Sequence, residues 1–393
     1  MSDREELTLH IRKVSGELVR IGWYRYSGDI EYQIAANHLD DVVASVRKAL
    51  FEFVRNYIAD PKSSSASLSM AKVLSKGNDL FESLFLSTDR RDAARDAKEQ
   101  YYEVSSAGQL ELSVKVDPGL TYPWALAVPD PTGFDEVCNN LTIPHDKFWG
   151  LRHRLTISTF GAGRARQVPL NDAEYRAAAA MNKSLFDQAT AAATSPHEKS
   201  ALDGVSRWFG DALTFTTSDF LETIREMSVD PNTKLRIAYM LGHAAGDRFQ
   251  LSKDDEISAG TLAVRLGDTS SLLHRQQTFL FLNGCDTAAE GERFAFTDLL
   301  RYPNISGIVG TEVRVPDRFA FRFALAFFRM VIYERVSFRD AMNHLRRAHL
   351  PVSLVYTLYA SDEISLLSSR EIANSTDEIV SENFSEGQLR YAQ

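Results

Sequence analysis

Apolar residues recur along this chain with two different periods, and the change from one to the other marks its elements. Leu7 to Ile11 and Glu17 to Tyr24 alternate apolar and polar, the period-two pattern of half-buried strands. From His38 to about Tyr57 the period lengthens, and Val42, Val43, Val46, Ala49, Leu50 and Phe53 fall on one helical face. Asp60-Pro61-Lys62-Ser63-Ser64-Ser65 reads as a linker or loop. It divides an α+β module over 1–66 from a larger domain over 67–393. Gln109 to Val116 predicts a strand, and Phe148 to Ile157 another. Asn171 to Gly210 is alanine-rich and predicts a helical insert over about 171–210, broken near Ser195-Pro196.

Beyond Ala212 the pattern becomes regular. Leu213 to Thr216 is a short strand, and Ser218 caps a helix from Asp219 to Met227. Three apolar runs follow: Leu235 to Leu241, Thr278 to Leu282 and Ile305 to Thr311. Helices are expected from Arg318 to Glu334, with Asp317 as cap, and from Ser337 to about His349, before a last strand from Val352 to Tyr359. Continuous apolar strands separated by helices predict an α/β fold, a mostly parallel sheet flanked by helices. The stripe Phe319, Phe323, Phe327 reads as core, and Trp124 as a packing anchor.

Composition narrows the function. The 393 residues are 44% hydrophobic and 25% charged, with a net charge of −9. An acidic balance argues against a general nucleic-acid binder. No run approaches the roughly 20 apolar residues of a membrane span. The charged N-terminus has no apolar secretory core, and two cysteines, Cys138 and Cys285, fit a reducing, cytoplasmic setting. There is no Walker loop, no H-E-x-x-H and no zinc-spaced cysteine pair, so no cofactor or metal is expected. Gly161-Ala-Gly-Arg-Ala-Arg166 lacks the third glycine of a dinucleotide fingerprint and reads as a loop. Arg152, Arg154, Arg164 and Arg166 read as a solvated basic face, and His145, His153, His344 and His349 as ordinary surface or capping histidines.

The chemistry concentrates at two strand ends. His243 ends the run over 235–241, and Cys285 ends the run over 278–282. In parallel sheets functional groups gather beyond the carboxyl ends of strands. A thiol is only slightly ionised at neutral pH, and an imidazole beside it can take its proton or stabilise the thiolate. Gly242, Gly246 and Gly284 flank both residues, as expected where a substrate backbone comes close.

Four segments in order carry a family resemblance. Phe281-Leu-Asn-Gly-Cys-Asp-Thr-Ala288 resembles the cysteine signature of the CHAT peptidases, in the caspase and separase clan. Ala238-Tyr-Met-Leu-Gly-His243 resembles the histidine strand of that family. Ile308-Val-Gly-Thr-Glu-Val-Arg-Val-Pro-Asp317 resembles its post-cysteine strand, and Tyr122-Pro-Trp-Ala-Leu126 its upstream Pro-Trp element. The resemblance implies a caspase-like fold and a cysteine endopeptidase, with His243 as general base and Cys285 as nucleophile. It implies an oxyanion hole from the N–H groups of Ala244 and Cys285. The family usually has glycine where Ala244 stands, and alanine tolerates positive φ poorly. It commonly has an aromatic where Val313 stands.

Substrate-side residues are expected around the cysteine. Asn283, two positions before it, could line the primary pocket, and the strand after Thr311 could form the other wall. There Arg314 favours an acidic residue before the cut, whereas Glu312 or Asp317 favours a basic one. Asp286 is an acidic rim candidate. The resemblance also implies regulated cleavage of one or a few partner proteins, encoded nearby, under an activating protein, as in bacterial defence or cell-death systems. The alternatives are an inactive scaffold of the same fold and a non-peptidase thiol enzyme with an enclosed acyl pocket.

Overall fold

The computed structural model describes residues 5–25, 28–130, 132, 147–160, 168–170, 175–193, 199, 202–203, 205, 209–229, 234–245, 247–267, 278–285, 287–288, 295–302, 305–360 and 366–368. Two sheets organise them. The first is built from β1 (Glu6–Lys13), β2 (Leu18–Arg25), β3 (Gly28–Ala35), β4 (Glu111–Val116) and β5 (Arg154–Thr159) in the order β3-β2-β1-β4-β5. The first three strands form an antiparallel meander, and β4 and β5 run parallel to β1. Leu7, Leu9 and Ile11 alternate inward along β1, as their spacing predicts.

Helices α1 (Ala36–Ala59), α2 (Ser64–Ser83) and α3 (Arg91–Ser106) lie between β3 and β4 in sequence. The expected division at 66 does not separate strands, because β4 and β5 lie beyond it and still complete this sheet. The Pro/Ser run is a tight turn between two packed helices. Asp60 accepts from the Lys62 N–H at 3.0 Å, and the Ser63 hydroxyl accepts from the Ala66 N–H at 3.1 Å as the α2 N-cap. Serine after proline served as a helix start.

The second sheet has the order β15-β14-β13-β9-β7-β8. Its strands are β7 (Tyr175–Met181), β8 (Leu213–Thr214), β9 (Lys234–Leu241), β13 (Thr278–Asn283), β14 (Ile305–Thr311) and β15 (Tyr356–Ala360). All neighbours are parallel except β15, which closes one edge antiparallel to β14. Two small elements complete the strands: a parallel pair of β6 (Val168–Leu170) with β16 (Leu366–Ser368), and an antiparallel sheet of β10 (His243–Ala245), β11 (Arg248–Ser252) and β12 (Asp255–Ser258). Further helices are α4 (Trp149–Arg152), α5 (Lys183–Ala192), α6 (Thr217–Val229), α7 (Ala259–Gly267), α8 (Asp317–Phe328) and α9 (Phe338–Ala348). The mostly parallel α/β class read from the apolar runs is what the chain adopts.

The helical expectation over 171–210 fails at Tyr175–Met181. Alanine favours helix by propensity, but this run forms ladders with β9 on one side and β8 on the other, and Ala177 to Ala180 are buried. Tertiary pairing overrides intrinsic preference here. Phe148 to Ile157 also divides, into a helical turn over Trp149–Arg152 and then β5. Asp317 is the first residue of α8 rather than its cap, which is Pro316. Thr216 rather than Ser218 receives the Asp219 N–H at the start of α6, at 3.1 Å. Ser337 caps α9 as expected, accepting from the Asp340 N–H at 3.0 Å.

The edge strands β5 and β15 meet along a seam between the sheets. Arg154 bridges Glu111 at 2.7 Å and Asp340 at 3.0 Å, and Arg339 reaches Glu111 at 3.3 Å. The predicted basic face is therefore partly a seam at Arg154; Arg164 and Arg166 lie outside the described residues.

His153 departs from its expected surface role, being fully buried. Its Nδ1 accepts the Leu110 N–H at 3.3 Å, which leaves the proton on Nε2, 3.0 Å from the Tyr101 hydroxyl. Burial, reinforced by the Arg152 charge, lowers its pKa from 6.5 to about 3. The unfolded chain therefore takes up a proton first as pH falls, and stability declines from pH 6.5 toward 3. Between pH 7 and 5 wild type is expected to lose about 2 kcal/mol more in urea unfolding than His153→Gln. Equal losses in the two proteins would overturn this assignment.

Candidate functional site

The histidine and cysteine strands are direct neighbours. Parallel pairing of β9 with β13 sets Leu241 opposite Asn283. His243 and Cys285 each lie two residues beyond that pair, past the carboxyl ends of β9 and β13. The Gly242 N–H donates to the Asn283 carbonyl at 3.4 Å, extending the pairing past the strand ends. His243 is exposed and Cys285 is partly exposed, so the rim is open to solvent.

The β10–β12 sheet shapes the histidine side. Ala245 faces Arg248 across a two-residue turn, and only mutual hydrogen bonds can join that pair. Ala244 opposite Phe249 is then a non-hydrogen-bonded pair, and its N–H faces away from β11. Among the described non-glycine residues only Arg335 has positive φ, so Ala244 has ordinary strand dihedrals. The departure from glycine at this position carries no steric penalty.

Phe249 is the residue that sequence reasoning missed. It is fully buried and set edge-on to Phe296. A Cβ on Gly242 would run into Gln250 O and meet Phe249 Cε1 at 2.8 Å. A Cβ on Gly284 would meet Phe249 Cε2 at 2.7 Å and Ala244 Cβ at 3.1 Å. These glycines thus accommodate the protein's own hairpin, rather than a substrate backbone. The signal was present as Gly246-Asp247, a hairpin dipeptide, followed by the alternating Phe249 and Leu251.

The cysteine turn is fastened on its other side to β14. The Thr287 hydroxyl bonds to the Leu282 carbonyl at 2.8 Å and lies 3.2 Å from that of Gly284, while accepting from the Thr311 N–H at 3.0 Å. The Thr311 hydroxyl donates to the Gly284 carbonyl, and the Ala288 N–H donates to the Thr311 carbonyl at 2.9 Å.

The expected substrate contacts separate into two groups. Asn283 is buried, and its amide is saturated: it donates to Tyr239 Oη at 3.1 Å and the Ala320 carbonyl at 2.7 Å, and accepts from Tyr356 Oη at 2.8 Å. It anchors the end of β13 and lines no open pocket. Burial raises the phenol pKa values of both tyrosines well above the ordinary range. Glu312 is also enclosed, paired with Arg47 at 3.0 Å and accepting from Tyr359 Oη at 3.2 Å, so it cannot meet a substrate side chain. Strand alternation from Cys285 points Asn283 to the pocket, and the stretch after Thr311 puts Glu312 in its wall; interior polar partners decide otherwise in both cases. Arg314 and Asp317 are exposed beyond β14. Asp286 and Cys138 lie outside the described residues.

No family model matches the sequence, and no curated protein sequence matches it. Among solved structures, similar chains include two crystal structures of the Saccharomyces cerevisiae separase–securin complex, both at 11% identity. Their TM-scores are 0.47 and 0.48, over 93% and 92% of this chain. The chain spans 30% of the length of those separase chains. A protease structure is similar at TM-score 0.41 and 7% identity, over 70% of this chain and 69% of that one. Among the described residues no helix is long and apolar enough to cross a membrane.

Proposed function

We propose that the protein is a caspase-like cysteine endopeptidase in which His243 is the general base and Cys285 the nucleophile. The observation that supports it most is the parallel pairing of β9 with β13, neighbouring strands whose carboxyl ends lead to His243 and Cys285. His243 takes the thiol proton, and the sulfur attacks a peptide carbonyl carbon. The resulting oxyanion accepts from the N–H groups of Ala244 and Cys285. Collapse breaks the C–N bond, His243 returns the proton to the leaving amine, and water hydrolyses the thioester. An Ala244 N–H turned away from β11 supports the hole, and its ordinary backbone removes the steric ground for an inert scaffold. Exposure of His243 favours a polypeptide substrate over a small enclosed acyl group.

The substrate is one or a few partner proteins encoded nearby, cut in the cytoplasm once an activating protein engages. That setting is what the sequence resemblance to the CHAT peptidases implies. Arg314 and Asp317 are exposed groups able to read a substrate charge. The test is alkylation of Cys285 by iodoacetamide at pH 7 in a Cys138→Ala background. It is expected to outpace free cysteine and to slow about tenfold or more on His243→Ala. A rate equal to free cysteine, unchanged by His243→Ala, would end the proposal.

A further inference from the structure

We infer that Arg47 and Glu312 are positioning residues that make presentation of the Cys285 thiol depend on α1. The inference rests on the proposed role of Cys285 and adds the element that controls it. Arg47 projects from α1, which belongs to the layer of the first sheet. Its Nε and Nη2 both lie 3.0 Å from Glu312 Oε2, and Nη2 also reaches the Thr121 carbonyl at 3.3 Å. The Glu312 side chain is wholly enclosed. Tyr359 holds its other oxygen, and the Glu312 N–H donates to the Val355 carbonyl at 2.8 Å.

The neighbour of Glu312 is Thr311, whose hydroxyl and backbone fasten the turn carrying Cys285. A single peptide bond therefore separates the α1 attachment from the cysteine clamp. The second guanidinium, Arg346, is buried, donates to the Tyr356 carbonyl at 2.8 Å and feels the Glu312 charge. Losing Arg47 leaves an enclosed carboxylate that must shift toward Arg346 or take up a proton. The shift moves the end of β14 and with it the Gly284 carbonyl, and protonation removes the charge that holds Glu312 to α1. A wholly enclosed carboxylate held by a guanidinium from α1 couples the segments that carry the two groups. An activator that displaces α1 would act on the thiol through this link.

The experiment reads alkylation of Cys285, which needs no substrate, in the full chain with Cys138→Ala. Arg47→Met and the neutral pair Arg47→Met/Glu312→Gln are compared with Leu9→Ala, which loosens the first sheet's core without touching the link. The two link variants are expected to change the alkylation rate about tenfold, and Leu9→Ala to leave it at the wild-type value while lowering Tm. A wild-type rate in folded Arg47→Met/Glu312→Gln overturns the inference, as does an equal change in Leu9→Ala. Native-state hydrogen exchange on wild type covers variants that do not fold. The Thr311 and Ala288 amides should open with the same denaturant dependence as the α1 amides, and independent opening overturns the link. Slow, His243-independent alkylation of wild type would instead sink the peptidase reading, leaving the exchange comparison to decide the link.

Discussion

Cys285→Ala is expected to leave the product of the neighbouring gene intact under conditions in which wild type cleaves it to completion. Removing a covalent nucleophile typically costs on the order of 10^4- to 10^6-fold in turnover, because the general base and oxyanion donors then have no bond to form. His243→Ala should lose a comparable factor. The double variant should be no worse than Cys285→Ala, since the two side chains act as one unit. Loss of cleavage must occur without loss of fold. Cys285 is only partly buried, and its replacement by alanine removes one sulfur from a rim whose frame is set by Thr287 and Thr311. Thermal unfolding should therefore stay close to wild type while cleavage disappears. Cleavage by Cys285→Ala at the wild-type rate would show that the hydrolysing group lies elsewhere.

The parts of the fold legible in the sequence were those with one strong signal. Thr278 to Leu282 is apolar at four of five positions and Ile305 to Thr311 combines apolar and small residues, runs that fit strands buried on both faces, and both lie inside the second sheet. Their carboxyl ends follow from strand direction, so the position of His243 and Cys285 just beyond strand ends was readable once the strands were. Tyr175 to Met181 was not readable, because four alanines carry little hydrophobic contrast and a strong helix preference; only the flanking ladders make them a strand. Glu312 and Asn283 misled for a different reason. Alternation fixes which side of a strand a residue faces, but not whether that side is solvent or another layer. Arg47, far earlier in the chain, turns the Glu312 side into an interior.

Phe249 sets the largest expected effect on architecture at the rim. Its ring touches the space above both glycines, with Cε1 against Gly242 and Cε2 against Gly284, and is itself fully buried. Phe249→Ala empties that wedge and is expected to cost about 3–5 kcal/mol, because the surrounding backbone cannot collapse fully into the space. Gly284→Ala presses a methyl onto the same ring at a position where Ala244 and the Gly242 carbonyl block retreat, and should cost about 1–3 kcal/mol. The two changes share one volume, so they should not add. In the double variant the new methyl occupies space the ring vacated, and the combined loss in urea unfolding should fall short of the sum by more than about 0.5 kcal/mol. Simple additivity would mean that the ring and the glycine do not meet. Because the same ring supports the segments bearing His243 and Cys285, each single variant should also slow alkylation of Cys285 more than its stability loss alone accounts for. A buried aromatic thus serves as the spacer between two loops, and the two glycines are the surfaces cut to fit it.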